Sequence, residues 1–143
     1  MFIGEYQHAM DEKGRIAVPA KFRKSLERGV VVTRGLDGSL YLYALEEWEK
    51  LASKISALPI NRANSRAFAR HLLGGAVVAE IDGQGRILVP EYLRKHAAIA
   101  KDAVLVGLYN RIELWSEERW SEYRVKTEKS AEEIAESLEG FGA

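Results

Sequence analysis

The stretch Asp11-Glu12-Lys13-Gly14-Arg15-Ile16-Ala17-Val18-Pro19 returns later in the chain as Asp82-Gly83-Gln84-Gly85-Arg86-Ile87-Leu88-Val89-Pro90. Six of the nine positions are identical at an offset of 71, and Arg23 and Arg94 match at the same offset. Farther on, Leu40-Tyr41-Leu42-Tyr43 aligns with Ile112-Glu113-Leu114-Trp115, and Trp48 with Trp120, at an offset of 72. One residue therefore separates the two blocks of matches, and the chain reads as a duplication of a unit of about 50 residues.

Local physics parses each unit. Asp-x-x-Gly suits a type I turn with Asp first and Gly at positive φ, a turn that joins antiparallel strands. The incoming strands are predicted over Glu5–Met10 and Ala76–Ile81, the outgoing ones over Arg15–Val18 and Arg86–Val89. Pro19 and Pro90 suit the first position of short helices, where a missing N–H costs nothing, and these helices are expected to reach about Glu27 and Ala98. A second hairpin follows in each unit: Val30–Thr33 with Leu40–Tyr43 around Asp37-Gly38, and Ala103–Leu108 with Ile112–Trp115 around Tyr109-Asn110-Arg111. A helix closes each unit. Trp48, Leu51, Ala52 and Ile55 recur at helical spacing in the first, and Ser116 can cap a helix opened by Glu117 and Glu118 in the second.

Four segments result: a first repeat over 1–58, a connecting helix within 59–74, a second repeat over 75–125 and a helical tail over 126–143. The connecting helix is predicted over Asn61–Leu73 and ended by Gly74-Gly75, with Arg62, Arg66 and Arg70 on one face and Phe68 and Leu72 on another. In the tail, Ser130-x-x-Glu133 has the form of a capping box, and Ile134 and Leu138 follow it, so a short terminal helix is expected there. A unit of this size buries too little surface to be comfortable alone. Two copies can share a core by interleaving their hairpins, with both Asp-x-x-Gly-Arg turns related by a pseudo-two-fold axis.

The 143 residues are 47% apolar and 29% charged, ordinary proportions for a globular protein, and no apolar run approaches a membrane span. The opening residues lack the basic and apolar regions of a signal peptide, which makes the cytoplasm the expected location. No cysteine is present, so disulfides and thiolate metal sites are excluded, and no metal or other cofactor is expected. The net charge of zero argues against nucleic acid at first sight, but its distribution qualifies that. Residues 1–35 carry seven Lys/Arg against four Asp/Glu, and residues 61–101 carry seven against three. Residues 113–143 carry four against nine. Phosphate binding responds to local charge, so two basic segments and an acidic tail are compatible with a DNA face.

Three readings fit the paired turns. In a structural one, Asp11 and Asp82 close the turns and pair with Arg15 and Arg86. In a nucleic-acid reading, the same Asp residues orient the arginines toward phosphates or guanine. In an enzymatic one, two symmetric Asp residues form a carboxylate dyad. The residues following each Asp, Glu12-Lys13 and Gly83-Gln84, lack the Asp-Thr/Ser-Gly pattern of aspartic proteases. His8, His71 and His96 lack ligand spacing, and no nucleophile elbow or Gly-rich phosphate loop is present. No enzymatic activity is therefore expected.

The paired Asp-x-x-x-Arg motifs, each followed by a hydrophobic pair, Pro and a short basic helix, resemble those of the MraZ family, within the AbrB/MazE-like superfamily of swapped-hairpin DNA-binding proteins. The opening Phe2-Ile3-Gly4-Glu5-Tyr6, the Pro19-Ala20-Lys21-Phe22-Arg23 segment, and Ile112-Glu113-Leu114-Trp115 with Trp120 belong to the same resemblance, which covers about residues 1–125. It implies an α+β fold: tandem duplicated swapped-hairpin (AbrB-like) β-barrel halves with pseudo-two-fold symmetry and short flanking helices. It implies a sequence-specific transcriptional regulator, mainly a repressor, of the bacterial division and cell-wall gene cluster. The regulator would be cytoplasmic and nucleoid-associated, binding directly repeated boxes in promoter double-stranded DNA as a ring-like homo-oligomer. Carried over by position, the DNA-contacting motifs are Asp11–Arg15, with Asp11, Lys13, Gly14 and Arg15, and Asp82–Arg86, with Asp82, Gly85 and Arg86. Beside them Arg23 and Arg94, like Lys13, are expected to assist through phosphates. Only the first turn has a lysine at its tip, Lys13 against Gln84. The alternative is an antitoxin-like module that binds a protein partner.

Overall fold

Two sheets share one apolar core in the computed structural model, which describes residues 1–138 and 140. The first half supplies β1 (Phe2–Ala9), β2 (Arg15–Ala17), α1 (Ala20–Arg23, continuing as a 3-10 turn over Lys24–Leu26), β3 (Val30–Arg34), β4 (Leu40–Ala44) and α2 (Leu45–Ser56). α3 (Ala63–Leu72) connects the halves. The second half supplies β5 (Val77–Ala79), β6 (Arg86–Leu88), α4 (Glu91–Ala97), β7 (Asp102–Tyr109), β8 (Ile112–Ser116) and α5 (Glu117–Ser137). The elements are those of a mixed α+β protein with antiparallel sheets and two repeated halves.

The larger sheet runs β1-β7-β8-β4-β3-β5, and β2 pairs with β6 in a separate two-stranded ribbon. The halves have thus exchanged their first strands: β1 pairs with β7 of the second half, and β5 with β3 of the first. This corrects the local expectation that β1 would pair with β2 and β5 with β6. The turns themselves form as expected. Gly14 N–H donates to the Asp11 carbonyl at 3.0 Å and Asp11 N–H to the Arg15 carbonyl at 2.9 Å; the second copy repeats both bonds at 2.9 and 2.8 Å. Beyond the turn the strands part, because each outgoing strand gains more by pairing with its counterpart, which places Ile16 against Ile87 in the core.

The registers obey the pseudo-two-fold. In the ribbon, Arg15 faces Leu88, Ala17 faces Arg86, and Ile16 faces Ile87 on the axis. In the large sheet, Leu40 faces Leu114, Leu42 faces Ile112, and Tyr41 faces Glu113 on the same axis. Symmetry fails at the sheet edges. β1 pairs with β7 over eight residues, whereas β5 pairs with β3 over three, because residues 73–75, which would extend β5, form the turn that follows α3. The core between the layers contains Ile16, Val18, Leu26, Leu40 and Leu42 with their mates Ile87, Val89, Ala97, Ile112 and Leu114. On the outer face of the sheet, Trp48 packs on Tyr43 and its counterpart Trp120 on Trp115, so the matched tryptophans fasten α2 and α5.

Two helices differ from expectation at their ends. α3 begins at Ala63, with Arg62 outside it in an extended conformation. α5 is continuous over Glu117–Ser137: Ser116 caps it by accepting from Arg119 N–H at 3.1 Å, and no second helix starts at Ser130. A capping motif ends nothing by itself, and this stretch holds neither Gly nor Pro to stop the first helix. Among the described residues no helix is long and apolar enough to cross a membrane.

Candidate nucleic-acid interface

Both turns are built by their aspartates. Asp11 Oδ1 accepts from the N–H groups of Lys13 and Arg15, each at 2.9 Å, and Oδ2 accepts from Arg15 Nε at 2.8 Å. Asp82 repeats the set with Gln84 N–H at 2.8 Å, Arg86 N–H at 2.9 Å and Arg86 Nε at 3.0 Å. These donors favour the ionised carboxylate. The Arg15 N–H is the largest influence in holding Asp11 below its ordinary value of 3.8, and the Arg86 N–H does the same for Asp82. A dyad sharing one proton needs one carboxyl raised instead, whereas both are lowered here.

Strand exchange brings the turns together. Arg86 Nη1 lies 3.7 Å from Asp11 Oδ2, so one carboxylate touches arginines of both halves. Each arginine gives its Nε edge to its own Asp, with its side chain about one-third exposed (34% for Arg15, 27% for Arg86). Because strand residues alternate sides, burial of Ile16 and Ile87 places Arg15, Ala17, Arg86 and Leu88 together on the ribbon's outer face. Lys13 stands exposed at the first tip, and Gln84 occupies its place at the second.

Arg23 and Arg94 sit beside this face in an arrangement that spacing did not reveal. Arg23 Nε donates to the Val18 carbonyl and Arg94 Nε to that of Val89, each at 2.9 Å. Each guanidinium also lies over the glycine of the opposite turn, Arg23 over Gly85 and Arg94 over Gly14. Two backbone bonds run the same way, Val18 N–H to the Gly85 carbonyl and Val89 N–H to that of Gly14, each at 2.8 Å. Gly14 and Gly85 have φ of 87° and 78°, where a side chain is strained. All nine residues singled out from the sequence thus gather around one ribbon. Missing from that set were Ala17 and Leu88, which only the pairing register places beside the arginines. Arg66 and Arg70, by contrast, stand on α3, which packs against α2 and β3. Among the described residues no group of three or more His, Cys, Asp or Glu could hold a metal ion.

The model of the MraZ protein family, described as antitoxin-like, matches the chain twice, over residues 1–71 and 72–141. The chain belongs to the MraZ family. Its two matches reproduce the duplication read from the sequence. Relatives bearing the name Transcriptional regulator MraZ align over nearly their whole length. That of Heliobacterium modesticaldum is 54% identical over 141 residues, 99% of each chain. That of Halothermothrix orenii is 51% identical over 142 residues, and that of Caldanaerobacter subterraneus subsp. tengcongensis 48% over 141, again covering 99% of each chain. The MraZ family is one of transcriptional regulators and not of enzymes.

Proposed function

We propose that the chain is a sequence-specific, double-stranded-DNA-binding transcriptional regulator that lays its β2/β6 ribbon into the major groove. The observation that carries this reading is the outer face of the ribbon, where Arg15 and Arg86 stand side by side, oriented by ionised aspartates. A major groove admits a two-stranded ribbon, and arginine is the commonest reader of guanine. Lys13, Arg23 and Arg94 supply cations for phosphates on either side, and Gly14 and Gly85 let the turns approach closely. The exchange of first strands supports the swapped-hairpin description of the fold.

One chain offers few cations, so its own affinity is modest and strongly salt-dependent. Repression therefore needs several subunits on one DNA segment, where linkage raises the effective concentration of each later contact. This is the reason to assign a ring-like homo-oligomer reading directly repeated boxes, with Arg62, Arg66 and Arg70 near a subunit boundary. The family resemblance adds a cytoplasmic, nucleoid-associated repressor of the division and cell-wall genes. Mapping bound DNA across the genome, followed by shift assays with the Arg15→Ala/Arg86→Ala double variant, tests the reading. Wild-type affinity in a folded double variant of unchanged oligomeric state overturns it. Light scattering at physiological salt tests the assembly, which a monomer mass at micromolar protein overturns.

A second reading, protein binding, draws on the family's antitoxin-like description and on α5, which buries no residue and leaves Ile134 and Leu138 exposed. A pull-down set beside the shift assay separates the two.

A further inference from the structure

The outer face of the ribbon is not symmetric in chemistry, although its backbone is. Arg15 and Arg86 are equivalent under the pseudo-two-fold, and so are Ala17 and Leu88. Leu88 is 53% exposed on the face that it shares with Arg15, Arg86 and Ala17. A single exposed leucine is ordinary. What singles this one out is its position directly across the ladder from Arg15, where opposed Cβ atoms stand about 4.5–5.5 Å apart. Any surface that receives Arg15 must also receive Leu88. The major-groove edge of DNA offers one apolar group at that level, the 5-methyl of thymine, next to the guanine acceptors that arginine takes. The separation of about 4.5–5.5 Å across the ladder lies between one and two base steps of roughly 3.4 Å, so the two side chains meet neighbouring base pairs.

We infer that Leu88 is a specificity-determining residue that contacts the 5-methyl group of a thymine adjacent to the guanine bound by Arg15. Ala17 is too short to make the equivalent contact beside Arg86, so the second position is read by the arginine alone. Each chain thus recognises guanine with a neighbouring thymine on one side of its axis and guanine without that preference on the other. The inference rests on the DNA-binding reading above and adds to it a residue, a ligand group and a polarity.

The test uses the full-length protein and duplexes selected from a randomised pool. Each thymine of the selected site is replaced in turn by deoxyuridine, which removes the methyl group and leaves every hydrogen bond. Removing one buried methyl weakens binding about three- to fivefold. The expected result is one position per chain with that loss for the wild type, and none for Leu88→Ala. Ala17→Leu should create a second sensitive position, symmetry-related to the first. Full affinity of the wild type for every deoxyuridine duplex overturns the inference and leaves the DNA-binding reading standing. So does a deoxyuridine penalty that persists in Leu88→Ala. Failure of the pool to yield any preferred duplex overturns both.

Discussion

The guanidinium of Arg94 fills the space that a side chain at Gly14 would need. A Cβ there would stand 2.7 Å from Arg94 Nε and 2.8 Å from the Val89 carbonyl oxygen. Arg23 and Gly85 repeat the relationship across the pseudo-axis. Each half therefore holds the other's turn through one arginine packed on one glycine, and the backbone bonds from Val89 to Gly14 and from Val18 to Gly85 close the contact.

Alanine at either glycine meets two obstacles, a positive φ and a filled space. The backbone strain alone costs about 1–3 kcal/mol. Displacement of the arginine adds to that at both positions, and at Gly14 the Val89 carbonyl, which accepts from Arg94 Nε, stands in the way as well. Gly14→Ala and Gly85→Ala should each lower the urea midpoint at constant m-value, and the pair together should approach additivity only if the two turns unfold independently. Denaturation curves for both singles and the double check this.

Arg23 and Arg94 have two separable duties, a fixed Nε and a charge. Arg23→Lys keeps the charge and removes the bond to Val18. It should leave the salt dependence of DNA binding unchanged while amide exchange at Gly85 and Arg86 speeds up. Arg23→Ala should do both, lowering the slope of log K against log salt by about 0.9 for each phosphate left without its cation. Unchanged slopes for Arg23→Ala and Arg94→Ala would remove these residues from the phosphate set.

Under the proposed function, Arg15 and Arg86 should differ in weight. Arg86 is tied to Asp82 and also approaches Asp11, whereas Arg15 answers to Asp11 and has Lys13 at its tip. Arg15→Ala should therefore weaken operator binding more than Arg86→Ala, each loss falling within about 1–3 kcal/mol per base contact. Titrations of both variants on one operator at one salt concentration settle the order.

Acid should act through His96 before it acts through the turns. Burial, followed by the neighbouring His71, Arg34 and Arg119, holds His96 below its ordinary value of 6.5. The unfolded chain then binds the extra proton first, so stability contributed by neutral His96 is complete above pH 6.5 and declines as pH falls below it toward the folded value. The depressed values of Asp11 and Asp82 place their own losses below pH 3.8 by the same rule. Melting temperatures measured across the range from neutral to acid should show the first decline beginning near neutrality in the wild type. His96→Gln should flatten that part of the curve.

The proposed oligomer on directly repeated boxes carries its own prediction. Subunits on one side of a duplex meet equivalent grooves about every 10–10.5 bp. Inserting about 5 bp between two boxes should turn one to the far side and weaken binding steeply, and about 10 bp should restore part of it. Equal affinity for the parent and half-turn sites would mean that the boxes are read independently.

Much of the fold was legible in the chain because the signals were local. Asp11 and Gly14 specify a turn by their own hydrogen bonds, and the β-branched run Val30–Thr33 forms a strand wherever it pairs. Pro19 and Pro90 mark the start of short helices, although each stands just before its helix as the N-cap and not at the expected first helical position. Partner choice was not legible. The turn bonds of a closed hairpin and of a parted one are the same, so nothing between Asp11 and Arg15 distinguishes β7 from β2 as the partner of β1. The position of Leu88 was hidden for the same reason, since only the register with β2 sets it across from Arg15. Ser130 misled because a capping box is defined by four residues, while the continuity of α5 is decided by the absence of a helix breaker over twenty-one.

The exchanged strands have a consequence for the chain as a covalent object. A protease that cuts the connection at residues 57–62 severs the sequence between the halves but none of the ladders that join them. β1 would still be held to β7 along eight residue pairs, and β2 to β6 along three. The nicked protein should migrate as two bands under denaturing conditions and as one particle under native ones. Neither fragment alone possesses a finished sheet, so the gene for one half, expressed by itself, encodes a product that must find a complementary copy before it can fold.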